Sequence, residues 1–141
     1  MAKNAVIEQA LLKHQLDYTA VYDVQIHIEP VDDPEPSDFT YDISVGNIEQ
    51  TDGKLNFRCL ILVGRKKPEE EASFIQISAG YVGLVSVDTL DKESAVELAK
   101  LYAGTTIWAT FSQLFGMITN QMRADFPRLP PHPGRIEIQD A

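Results

Sequence analysis

The side chains in this sequence that could bind a metal or transfer a proton stand far apart. Its three histidines, His14, His27 and His132, lack the i, i+4 spacing and the thiolate partners of common zinc sites. His27 and Glu29 could form a base and acid pair, but they share only the polar side of an alternating segment. We therefore expect no metal, no cofactor and no enzymatic activity.

The single cysteine, Cys59, lies between Phe57 and Ile61 in an alternating apolar segment. We expect it to be a buried, structural thiol with a raised pKa. One cysteine excludes an intrachain disulfide and is typical of a protein in the reducing cytoplasm. The acidic clusters at residues 32–35 and 69–71 lack the spacing of a calcium loop, so we interpret them as solvated loops.

Charge and composition exclude further classes of partner. The formal net charge of -9 repels a phosphate backbone, so we expect no nucleic acid. Gly64 precedes a basic turn and a strand, whereas a phosphate-binding loop would lead into a helix. We expect no membrane insertion and no signal peptide, because no apolar run is long enough and Glu8 and Lys13 interrupt the N-terminal region.

Alternating apolar and polar residues predict a first strand over residues 21–29. The residues on its apolar side are Tyr22, Val24, Ile26 and Ile28. The next segment contains three prolines, which cannot donate to a sheet, so residues 30–38 are predicted to form a long crossover. The first strand is therefore expected to be half-buried and separated from its successor.

Three further strands are predicted after the crossover. Residues 39–50 and 55–63 alternate on either side of a Thr-Asp-Gly-Lys sequence at 51–54, which is typical of a hairpin turn. Residues 75–87 alternate through a long fourth strand, which its internal glycines are expected to bend. The pattern predicts antiparallel pairing.

Two consecutive helices complete an α+β layout. Asp91 is the expected N-cap of a helix over residues 94–103, and Gly104 is expected to end that helix. A second helix, from about residue 105 to 124, presents a wide apolar face that includes Trp108.

The remaining segments are short. Residues 1–18 form an N-terminal extension that we expect to be helical, and the proline-rich residues 129–134 leave a short irregular tail at 132–141. A length of 141 residues fits one domain, residues 1–141. Four strands and two helices offer more apolar surface than one pair of layers buries, which favours oligomerisation or a binding groove.

Three strings in this order resemble the SecB family of bacterial export chaperones. They are residues 24–30 (VQIHIEP), 74–87 (FIQISAGYVGLVSV) and 126–131 (FPRLPP). The resemblance spans most of residues 21–131. It implies a four-stranded antiparallel sheet of order 1-4-3-2 with helices on one face. It also implies a homotetramer, built as a dimer of dimers, that holds unfolded or presecretory polypeptides without ATP.

The resemblance also implies which residues contact partners. The client-binding groove maps to Phe39, Tyr41, Ile43, Tyr81 and Trp108. Glu29 fits one position at which family members dock on the SecA motor, but Ser78 stands where a second carboxylate is expected. We therefore expect a chaperone for unfolded clients, either in export or for a dedicated client such as an unstable antitoxin, without SecA docking.

Other classes of function remain open on the sequence. The main alternative is an α+β protein that binds a small apolar ligand, with Trp108, Phe111 and Phe115 lining a closed cavity. A structural adaptor or an enzyme on the same scaffold are further alternatives.

Overall fold

Four long antiparallel strands form the body of the sheet. The computed structural model describes residues 15–29, 38–67, 74–122 and 128–139. The strands are β1 (Gln15–Ile28), β2 (Asp38–Thr51), β3 (Lys54–Lys66) and β4 (Ile75–Ser86). They lie in the order β1-β4-β3-β2 and all pair antiparallel. The α+β class and this strand order are confirmed.

A fifth strand corrects the predicted four-stranded sheet. The tail residues Glu137–Ile138 form β5, which lies parallel to β2 and pairs with Ser44 and Val45. The backbone N–H of Gln139 extends this contact by donating to the carbonyl of Val45 at 2.9 Å. Two residues carry no readable alternation, so nothing in the local pattern predicts this strand.

One face of the sheet, here called the inner face, carries the core. Paired residues of an antiparallel ladder point to the same side, so Ile43, Ile61 and Ala79 lie in a line across β2, β3 and β4. The buried inner-face side chains are Ile43, Val45, Leu55, Phe57, Cys59, Ile61, Val63, Ile77, Ala79, Tyr81 and Val85. The opposite face is the outer face.

The predicted hairpin turn is present between β2 and β3. Asp52 and Gly53 both adopt positive φ angles, 53° and 77°, as a two-residue turn with the twist of a hairpin requires. Pairing then runs from Thr51 and Lys54 at the turn to Asp38 and Lys66 at the far end. The far end of β2 therefore follows residues 30–37 of the predicted crossover, which lie outside the described ranges.

β1 differs from its prediction in length and in register. It begins at Gln15, so residues 15–18 of the expected helical extension are strand, and residues 1–14 lie outside the described ranges. A bulge between Val21 and Asp23 shifts the alternation. Tyr22 consequently lies on the outer face, against Gly80, whereas Val24 pairs with Ala79 on the inner face.

The helical layer is one continuous segment with an irregular middle. α1 (Lys92–Tyr102) passes through a π-helical stretch (Ala103–Ile107) into α2 (Trp108–Met122). Asp91 is the N-cap, as predicted, because its carboxylate accepts from the Ser94 N–H at 2.7 Å. Gly104 does not end the helix as expected. It is buried, and its missing side chain makes room for His132 and Ile136 of the tail.

Candidate functional site

Five aromatic rings form a continuous row from the sheet into the helix. Neighbouring ring centroids lie 6.1 Å apart for Phe39 and Tyr41, 5.6 Å for Tyr41 and Trp108, 6.1 Å for Trp108 and Phe111, and 6.0 Å for Phe111 and Phe115. We call this set the aromatic row. The strand members are two residues apart and the helix members three or four apart, so each set lies on one side of its element.

Burial divides the aromatic row into two parts. Trp108 and Phe111 are fully buried and Phe115 nearly so, whereas Phe39 and Tyr41 are half-buried. The Trp108 indole N–H donates to the carbonyl of Pro130 at 2.7 Å, so the tail satisfies the only polar atom of that side chain. The strand end of the row is thus the end available to a ligand.

An open cleft of about 580 Å³ lies beside this end of the row. Its lining comes from β2, β3 and β4 close to the far end of the hairpin: Phe39, Thr40, Tyr41, Asp42, Leu62, Val63, Gly64, Lys66 and Gln76. By their register, Phe39, Tyr41 and Val63 belong to the inner face and the other six lining residues to the outer face, so the cleft joins charged and amide groups of the outer face to the two aromatic residues at the edge of β2. Such a surface suits a polypeptide segment with apolar side chains and a polar backbone better than a purely apolar ligand.

The sequence-predicted groove residues separate into two groups. Phe39, Tyr41 and Trp108 are brought together in the aromatic row. Ile43 continues along β2, but its side chain is buried on the inner face. Tyr81 lies apart on β4. Its pKa is raised, mainly because burial disfavours the charged form and to a lesser extent by the neighbouring Cys59. Client contact by Ile43, Tyr81 and Trp108 stays a prediction.

Cys59 has the environment that its neighbours predict. Its side chain is fully buried, and desolvation raises its pKa to about 12. The thiolate that nucleophilic chemistry requires is therefore essentially absent at neutral pH. The interpretation of a buried thiol with a raised pKa is confirmed.

His27 and Ser78 lie on the outer face and Glu29 lies at the surface, whereas His14 and the acidic clusters at residues 32–35 and 69–71 lie outside the described ranges. His27 Nε2 is 3.5 Å from Glu29 Oε1, and the two side chains are 62% and 63% exposed. Ser78 is half-buried on the neighbouring β4. Within the described ranges, no group of three or more histidine, cysteine, aspartate or glutamate side chains could hold a metal ion, and no helix is long and apolar enough to span a membrane.

An exposed apolar surface runs along β1, and the sequence pattern did not predict its exposure. This strand forms one edge of the sheet, and its large apolar side chains are between 41% and 56% exposed. The set consists of Tyr18, Val21, Tyr22, Val24, Ile26 and Ile28. Ile26 pairs with the fully buried Ile77, so the helical layer covers the inner face at β4 but leaves it open at β1. Alternation alone could not distinguish a covered strand from an uncovered one.

Comparison with known proteins supports the fold. No family model matches the sequence, and no curated protein matches it. Among solved structures, it is similar to the Rv1957 SecB-like chaperone of Mycobacterium tuberculosis, solved in complex with a ChAD peptide from the Rv1956 HigA1 antitoxin. The TM-score is 0.66 at 10% sequence identity, over 92% of this chain and 98% of that chain. At that identity the likeness shows the fold, so this chain has a SecB-like α+β fold with an additional short fifth strand.

Proposed function

We propose that this protein is a holdase chaperone that binds unfolded or presecretory polypeptides without ATP. The observation that carries the proposal is the position of Phe39 and Tyr41. These half-buried aromatic residues line an open cleft of about 580 Å³ on a SecB-like sheet. The similar mycobacterial protein is a SecB-like chaperone in complex with a peptide, which supports polypeptide binding here.

The chemistry of the cleft favours clients of varied sequence. Burying apolar side chains of an extended segment stabilises the complex by about 25 cal/mol per Å² and makes little demand on sequence. The aromatic rings supply large contact areas with few rotatable bonds. A net charge of -9 adds long-range attraction for basic unfolded chains.

We further propose that a dedicated client, such as an antitoxin, is among the polypeptides that the cleft binds. The peptide held by the mycobacterial chaperone comes from an antitoxin, which supports this choice. Glu29 is exposed, but Ser78 offers a hydroxyl where the family resemblance implies a second carboxylate for SecA. The protein is proposed to act in the cytoplasm without docking on SecA.

The small-ligand alternative receives no support from the helix. Trp108, Phe111 and Phe115, which would line its cavity, contact one another at centroid distances of 6.1 and 6.0 Å in the core. A closed cavity between these rings would require them to separate. The exposed end of the aromatic row therefore favours a polypeptide client.

The proposed function is tested by replacing Phe39 and Tyr41 together with serine. We expect a loss of tenfold or more in affinity for reduced, carboxamidomethylated ribonuclease A, a permanently unfolded basic chain. Aromatic anchors typically contribute about 1 to 3 kcal/mol each, and about 1.4 kcal/mol corresponds to tenfold. Fluorescence anisotropy of a labelled client measures the affinity.

The matched control replaces the same residues conservatively, Phe39→Leu with Tyr41→Phe, and should keep affinity within about threefold because the apolar area is retained. Thermal unfolding followed by circular dichroism checks that each variant folds. Since Tyr41 packs on Trp108, Phe39→Ser alone serves as a variant with less effect on the core. Unchanged affinity in the folded serine variants would refute the proposed site.

A further inference from the structure

The tail is held to the rest of the molecule by two contrasting sets of contacts. Its first part is anchored in the core, because Leu129 and Pro133 are buried and the carbonyl of Pro130 accepts from Trp108. Ile136 also packs against the core, at Gly104, whereas Glu137, Ile138 and Gln139 beyond it are exposed. Gly134, with a φ angle of 81° that favours glycine, lies within the anchored part.

The exposed part of the tail occupies the edge of the strand that carries Phe39 and Tyr41. β5 pairs with Ser44 and Val45, which directly follow Ile43 on β2. The contact is parallel, only two residues long, and leaves Ile138 42% exposed. A parallel pair of this length buries little apolar surface, so its local opening should require little free energy.

We propose that residues 137–139 are a displaceable occupant of the β2 edge, and that an extended client segment adds to β2 in their place. This inference rests on the proposed function of the neighbouring cleft. A client strand on β2 would place every second side chain on the inner face, the side of Phe39 and Tyr41, while its backbone hydrogen bonds contribute affinity without sequence demand. The tail therefore regulates the chaperone by competing for its binding edge.

The tail lies within van der Waals range of this edge at Gly46. A side chain added at Gly46 would place its Cβ 3.4 Å from both the Cβ and the carbonyl oxygen of Gln139. Gln139 also donates its backbone N–H to the carbonyl of Val45. The backbone N–H of Gln139 therefore attaches the last described residue of the tail to β2 through one hydrogen bond.

The first test removes that backbone donor. Gln139→Pro eliminates the N–H that Val45 accepts, and Gln139→Ala, the matched control, keeps it. We expect Gln139→Pro to bind reduced, carboxamidomethylated ribonuclease A about threefold to tenfold more tightly, because apparent Kd scales inversely with the fraction of molecules whose edge is open. The alanine variant should match the wild type, and equal tightening in both variants would overturn competition through the backbone.

The second test fixes the tail in place. Ser44 and Glu137 are directly paired, so a Ser44→Cys and Glu137→Cys double variant can close a disulfide between β2 and β5. Oxidation should weaken client binding by at least about threefold, and a reducing agent should restore it, whereas the wild type should not respond to either treatment. A wild type that holds the client, with no change in the proline and oxidised variants, would overturn the tail inference alone. A wild type that holds no client would instead refute the proposed function.

Discussion

Gly80 lies on the outer face of β4, beside the β1 bulge. Gly80 was expected to bend β4, yet its missing side chain admits the Tyr22 ring, whose Cζ would lie 2.6 Å from an added Cβ. The guanidinium of Arg58 lies 5.2 Å from the centroid of the same ring, which places a cation over its face. Outer-face packing at the β1 bulge therefore accounts for this glycine.

At Cys59 we expect substitutions to change stability and leave client binding intact. Cys59→Ala should reduce the free energy of unfolding by about 1 kcal/mol through lost packing. Cys59→Ser should reduce it more, by about 1 to 3 kcal/mol, because it buries a hydroxyl group among apolar side chains. Urea unfolding measures stability, and anisotropy with the labelled client measures binding. Weaker binding at unchanged stability would contradict the structural role.

At the scale of elements, capping and packing determine where the helices begin and continue. Asp91 starts α1 through its bond with Ser94. Glycine often ends helices, but Gly104 lies within the π-helical stretch, where the tail packs against it. A local signal therefore identified the helix start, whereas the contact of Gly104 with the tail joins residues far apart in the chain.

The Asp91 cap predicts a pH-dependent contribution to stability. Its hydrogen bonds with Ser94 lower the pKa of Asp91 in the folded state. A lowered carboxyl pKa stabilises the fold above the unfolded value of about 3.9, and this stabilisation is lost as pH falls through the folded pKa. Asp91→Ala should therefore lower the melting temperature at neutral pH, and the difference from wild type should shrink in acid.

Asp91→Asn is the matched control, because asparagine caps a helix without a titrating charge. Its melting temperature should stay near that of the wild type at neutral pH and should not show this carboxyl's acid dependence. Calorimetry across the pH series distinguishes the variants. If the melting temperature of Asp91→Ala stays equally far below that of the wild type in acid, the contribution of the ionised cap is refuted.

At the scale of the whole molecule, the uncovered β1 edge favours assembly. An edge strand with exposed apolar side chains is a template for pairing with another chain, and proteins usually protect such edges. Here Val24 and Ile26 face the inner side without cover from the helical layer. We propose a homo-oligomer, a dimer of dimers, in which this surface is buried.

We expect sedimentation of the wild type at micromolar concentration to show a tetramer. Ile26→Glu should shift it towards smaller species, because assembly would bury an unpaired carboxylate. Gln25→Glu places the same charge on the outer face of the same strand and should affect assembly less. A stable wild-type monomer under these conditions would refute the assembly proposal and weaken the groove proposal.

Features that depend on near neighbours along the chain were predictable from the sequence. Alternation predicted β2, β3 and β4, the Asp-Gly pair predicted the turn at residues 52–53, and the apolar neighbours of Cys59 predicted its burial. The strand order was implied by the family resemblance, because members of one family share a topology. These features depend on backbone dihedral preferences and side-chain periodicity, which act over a few residues.

Which surfaces are covered depends on how distant segments pack together. The β1 bulge moved Tyr22 to the outer face, and the tail added β5 to β2. Packing of the helical layer on the sheet buried Trp108 but left Phe39 and Tyr41 half-buried. Each outcome depends on contacts between segments far apart in the chain, where small differences in register or in layer position change what a side chain meets. The exposure of each side chain, on which the candidate site depends, is therefore set by long-range packing and cannot be predicted from local periodicity.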